Sequence, residues 1–141
     1  MPFGSESVRL QALRGLFGSD AASIGAAGTY YVALLRQPTD PQTTLGTEPD
    51  STGGYARVAV ANADADWNFS GASVSNANEI RWPTTTGLYS ITDPLNQWAI
   101  YDNTAGGNLI AFGQVSPTIT VTGAGDEPVI YAGDFSLTMD A

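Results

Sequence analysis

Asp64 and Asp66, with Asn62 and Asn68 close by, form the nearest approach to a metal-binding run in this chain. Calcium wants about six to eight oxygen ligands. This cluster supplies only a few, so a solvated loop is the expected reading. Asp126 and Glu127 follow Gly125, and a turn that exposes two carboxylates accounts for them. Paired carboxylates can also hydrolyse glycosides when held at a set separation. Trp67, Trp82 and Trp98 offer rings that could stack on sugar. Trp98 lies in an apolar run, which places it in a core. Trp82 precedes Pro83, and either a core or a surface position suits it. Gly53-Gly54 and Gly106-Gly107 are not phosphate loops, because neither opens a helix or precedes a Lys.

The missing residue types decide more than those present. The chain has no Cys, no His and no Lys, and its five basic residues are all Arg: Arg9, Arg14, Arg36, Arg57 and Arg81. No thiolate, imidazole or Schiff-base chemistry is therefore open to it. Acid–base work would fall to Asp, Glu and Tyr alone. The expectation is a protein that is not an enzyme and uses neither cofactor nor metal.

Charge narrows the partners. With 14 acidic residues against five Arg, the formal charge is −9. Nucleic acid calls for a basic stripe, which five scattered Arg do not make. An anionic membrane surface would repel the chain. No stretch of eighteen apolar residues is present to span a bilayer. Met1–Leu10 carries Glu6 and no apolar h-region, so no secretory signal is expected there.

At 141 residues the chain is one domain's length, enough to bury a core without disulfides. Short β-branched and aromatic runs alternate with Gly, Pro, Asn and Asp, the pattern of an antiparallel all-β fold. No repeat or heptad pattern is present. Strands are expected at 29–36 (apolar on both faces and so mid-sheet), 55–61, 67–70, 73–75, 79–82, 97–101, 108–115, 118–122, 128–132 and 134–139. DNTAGG at 102–107 reads as a hairpin turn. The long loops are 37–54 and 84–94. The fold class is a mainly β, antiparallel β-sandwich with Greek-key or jelly-roll connections.

One helix is expected, over about Ser5–Phe17. Ser5 caps it, Glu6 suits its positive end and Gly18 its C-terminus. The organisation is then an N-terminal helix at 1–18 and a single sandwich domain at 19–141. The apolar helix face carries Val8, Leu13, Leu16 and Phe17, which pack on the sheet or on a neighbouring subunit. Arg57 and Arg81 lie within strands. They pair with carboxylates at the sheet surface, or at a subunit interface where such pairs set orientation. Trp82 and Tyr89 mark a further candidate contact region, 82–94.

Five segments in order carry a resemblance: GTYYVALLRQPTD (28–40), GGYARVAV (53–60), SNANEIRWPTTT (75–86), QWAIYDNTAGGNLIAFG (97–113) and TITVTGAGDEPVIYAGDFSLTMD (118–140). From about residue 5 to its end the chain resembles a family of small tailed-bacteriophage virion proteins. Members are labelled tail fibre proteins, and some similar proteins look like capsid decoration (cement) proteins. The chain departs from that pattern between Thr84 and Gln97, where GLYSITDPLN intervenes before the strand. The resemblance carries no catalytic residues.

It implies a structural role in the virion, assembled in the bacterial host cytoplasm. The reading favoured from sequence is a decoration protein on the head shell, docked on the major capsid protein or other virion subunits. The helix face or the 37–54 loop would make the contact, and each seated copy would stabilise the shell by linkage. A homo-oligomer is expected, with a trimer favoured to match local three-fold positions. The alternative is a tail fibre or tail-tip component that contacts the host surface.

Overall fold

The computed structural model describes Phe17 and residues 28–138. The expected helix at Ser5–Phe17 lies outside the described residues apart from Phe17. So do Val8, Leu13, Leu16 and the proposed boundary at residue 18.

Strand β1 (Thr29–Leu35) is β-branched, aromatic or apolar at every position, and nearly all of it is buried. Such a strand needs neighbours on both edges and cover on both faces. It pairs antiparallel with β2 (Val58–Ala61) through Tyr30–Val60 and Val32–Val58. On its other edge it pairs with β6 (Leu95–Tyr101), where Leu34 faces Trp98. Strand β7 (Leu109–Ile119) adds to β6 and closes a four-stranded sheet ordered β2-β1-β6-β7. The β6–β7 hairpin turns where expected: the Asp102 carboxylate accepts Asn108 N at 2.7 Å and Asn108 Nδ2 at 2.9 Å.

A three-stranded sheet holds β3 (Trp67–Ser70), β4 (Ser73–Asn76) and β9 (Ser136–Thr138), and β5 (Ile80–Arg81) pairs with β8 (Val129–Ile130) as a two-stranded ribbon. All pairings are antiparallel. Aromatic rings bind the layers together. Phe135, next to β9, lies 4.0 Å between centroids from Trp98 of β6 and 5.8 Å from Trp67 of β3. Phe17 meets Trp67 and Tyr30 edge-on at 4.7 and 5.6 Å. Removing one such buried ring costs about 3–5 kcal/mol.

The far face of the four-stranded sheet buries Ala33, Leu35 and Ala99 beside Tyr101 and Phe112. The cover there is a loop. Gln97, fully buried, donates from Nε2 to the carbonyls of Pro41 and Thr44 and accepts Gly46 N at 2.6 Å. Gln37 Nε2 also donates to Thr44 O, and Arg36 and Thr47 exchange backbone bonds at 2.9 Å. The loop expected to dock on a capsid thus lies against its own sheet, held by amide side chains.

Several expected strands are shorter or differently joined. The run 118–122 is not a strand of its own. Strand β7 continues through a cis Ser116–Pro117 bond to Ile119, with a register shift against β6 between Leu95 and Gln97. Only Ile80–Arg81 of 79–82 and Val129–Ile130 of 128–132 pair. Pro83 and Pro128 bound those short runs and cannot donate to a ladder.

Candidate binding surface

The sheets leave seams between them. The first is a cavity of about 320 Å³ between the second half of β7 and the β8 side. Ser116, Thr118 and Thr120 line one wall; Glu127, Tyr131 and Asp134 line the other. Tyr131 is the most exposed large apolar side chain of the described residues, at 60%. Its ring belongs to the lining of a groove of mixed polar and apolar character, the arrangement that lets an aromatic side chain supply contact area at low entropic cost.

One buried side chain positions that ring. Asn76, the last residue of β4, is 1% exposed. Its Nδ2 donates to Tyr131 O at 3.0 Å and to Asn78 O at 2.7 Å. Its Oδ1 accepts Gly133 N and Phe135 N, each at 3.0 Å. Two donors and two acceptor sites are the whole capacity of an Asn side chain, and all are used. Gly133 takes φ +85°, a conformation that favours glycine. The 131–135 turn is thereby fixed on the rigid end of a strand.

Beside it, Arg81 bridges two carboxylates, Glu127 at 2.8 Å and Glu79 at 3.0 Å. The pairs are exposed and screened, so they orient the ribbon more than they stabilise it. Asp126 accepts Thr122 N at 2.7 Å and Thr122 Oγ1 at 3.0 Å. Those two bonds, backbone first, hold its carboxyl below the ordinary carboxylate value. Among the described residues no group of three or more acidic side chains is placed to hold a metal ion. Asp64–Asp66 forms a 3-10 turn leading into β3.

The most developed polar cluster surrounds Arg57, just before β2. Arg57 Nε and Nη2 donate to the two carboxylate oxygens of Glu48 at 2.9 and 2.8 Å, and Nη1 donates to Asn103 O and Gly106 O. Its guanidinium lies 3.7 Å from the centre of the Tyr101 ring. The Arg57 side chain is 7% exposed. The Tyr55 hydroxyl donates to Glu48 at 2.7 Å. Burial, with the Glu48 charge beside it, pushes the Tyr55 phenol well above its ordinary range. The groups here bond one another and nearby main-chain carbonyls, so the cluster braces loops.

The structure therefore redistributes the residues singled out from sequence. Phe17, Trp82 and Tyr89 are in the core, because their rings have apolar partners within the chain. Trp67 and Trp98 are buried too, so no Trp offers a sugar platform. Arg57 pairs internally, whereas Arg81 is at the surface beside Tyr131. Tyr131 and Asn76 were not singled out. Tyr131 follows an apolar pair and precedes Ala-Gly-Asp; the onset of turn residues was the signal that its ring would leave the sheet.

Residues 7–138 match the family model described as podophage GP4 fiber I protein gp80. No curated protein matches the chain.

Proposed function

We propose, since the chain belongs to the podophage GP4 fiber I protein gp80 family, that it is a tail fibre component which contacts the host surface through the Tyr131 groove. Membership makes it a structural component of a phage virion. The domain is read as a β-sandwich that carries its contact surface on one seam. A non-catalytic role suits the chemistry available, since the chain lacks His, Cys and Lys and its best-ordered carboxylates are occupied. Head-shell decoration, favoured from sequence, has less support. The matched family is a fibre family, and the loop that was to dock on the capsid is held against its own sheet.

The observation that carries the host-contact reading is the exposed Tyr131 ring, its main chain fixed by Asn76, at a groove that mixes hydroxyls and carboxylates with apolar side chains. The test is binding of the purified protein to host cells and to envelope extracted from them. Tyr131→Ala is expected to weaken binding about tenfold, as loss of an aromatic anchor does, with the fold unchanged by circular dichroism. Binding equal to wild type would overturn the assignment of this groove. Quantitative gel analysis of purified particles separates tail from head: a copy number close to that of the capsid subunit would restore decoration.

A further inference from the structure

A second groove, of about 490 Å³, lies between β7 and β9. These are the terminal strands of the four- and three-stranded sheets, and both contribute to its walls: Phe112, Gly113 and Gln114 on one side, Ser136 and Thr138 on the other. Among the described residues, neither strand has a ladder partner on this side. Natural edges are guarded by charge, Pro or a bulge. The first half of β7, LIAFGQ, carries no charge and no Pro.

The floor holds an unmet donor. Trp98 is fully buried, lines the groove, and its Nε1 has no hydrogen-bond partner among the described residues. Gly113, its direct partner across the β6–β7 ladder, lets the indole reach this seam. A Cβ at 113 would stand 2.5 Å from Trp98 Cζ2 and 3.0 Å from Nε1. At the groove's mouth the Asp134 carboxylate is exposed and has no partner among the described residues. Arg36, Arg57 and Arg81 are each paired with other acids, so no described cation is left for it.

We propose that this groove receives an extended polypeptide segment from a neighbouring virion subunit, with a basic side chain of that segment set against Asp134. A strand entering the seam can add to one open edge and cover the other. Only a polypeptide alternates N–H and C=O on both its sides at strand repeat. The charge of the seam selects a cation over an acid. The inference rests on the virion role and not on host binding, so the Tyr131 groove can fail without affecting it.

Hydrogen exchange read by mass spectrometry compares the isolated protein with purified virions. Amides of 110–114 and 136–138 are expected to exchange at least about tenfold more slowly in the particle, as ladder formation requires. Equal rates would overturn the proposal. Ser136→Cys, coupled to a short crosslinker in the particle, identifies the occupant. A Lys- or Arg-bearing segment of another subunit, a second copy included, supports it. A crosslink only within the same copy, to saccharide, or to nothing overturns it. Asp134→Asn removes the charge and keeps the shape of the side chain. It is expected to leave the isolated protein folded and to lower retention in particles several-fold. Unchanged retention would overturn the proposal.

Discussion

The hydroxyl of Tyr55 accepts the backbone N–H of Leu34 at 3.1 Å, at the point where β2 has run out and β1 still needs a partner. The last β1–β2 pair is Val32 with Val58, and the next backbone link on that edge is Arg36 with Thr47. A side chain thus takes the place of a missing ladder rung. Tyr55→Phe leaves Leu34 N buried without its acceptor, at a cost of about 1–3 kcal/mol. Chemical denaturation reads this directly.

The same residue sets a pH dependence. An unfolded Tyr ionises near pH 10, whereas the native Tyr55 phenol stays protonated well above that. Above pH 10 the native state therefore binds more protons than the unfolded state, and stability falls as pH rises. The Tyr55 contribution is complete below that pH. The slope is expected to be shallower in Tyr55→Phe, by up to about 1.4 kcal/mol per pH unit. Denaturation midpoints between pH 9 and 11 measure it. Tyr30, Tyr89 and Tyr101 are also shifted upward by burial, so some slope persists. Identical slopes would mean that Tyr55 ionises as readily folded as unfolded.

Glu48 and Arg57 are expected to be non-interchangeable with their near relatives. Arg57→Lys keeps the charge and loses the fork that reaches both Glu48 oxygens and two loop carbonyls. Glu48→Gln leaves the guanidinium with no counter-charge. Each is expected to cost about 3 kcal/mol, the lower end for a broken buried pair, because Glu48 retains some solvent contact. Thermal melts of the two variants check it, and a loss below about 0.5 kcal/mol would reduce the cluster to a surface pair.

Gly113→Ala forces a methyl into the Trp98 ring at 2.5 Å. Overpacking of this kind costs about 1–3 kcal/mol. For a domain of this size that lowers the melting midpoint by roughly 2–4 °C per kcal/mol. Near-ultraviolet circular dichroism should change with it, since Trp98 has to move. A wild-type midpoint would show that the ring is not held where it lies.

Asn76→Asp retains the acceptor for Gly133 and Phe135 and loses both donors, while Asn76→Ala loses all four bonds. The expected order of stability is wild type, then Asp, then Ala, with Ala down by about 2–4 kcal/mol. Proteolysis at the 131–135 turn is the local readout, and equal cleavage in all three would remove Asn76 from its positioning role.

The strands were legible in the sequence because each carries its own signal. Trp67–Ser70 was read to the residue, and the continuous apolar run of β1 announced a mid-sheet position. The candidate surface was not legible. Trp82 looked available because it precedes Pro83, and Tyr89 because it falls in the long loop 84–94, yet both rings are buried. Gln37, Asn76 and Gln97 are polar residues with no periodic pattern to betray them, and their burial depends mainly on partners 7 to 59 positions away. β7 was split at Pro117 because Pro ordinarily ends a ladder. Here it sits on an edge strand, where its missing N–H costs no ladder bond on the open side.

Asn76 holds the 131–135 turn entirely through main-chain atoms: Tyr131 O, Gly133 N and Phe135 N. None of those bonds depends on the side chains at 131, 132 or 134. Outward residues of the turn can therefore be replaced one after another without remaking the frame beneath them. On the proposed host-contact reading, variation is expected to collect at 131 and 132 in isolates with different host ranges, while Asn76, Gly133 and Asp134 stay unaltered, so that receptor choice drifts and the architecture is inherited intact.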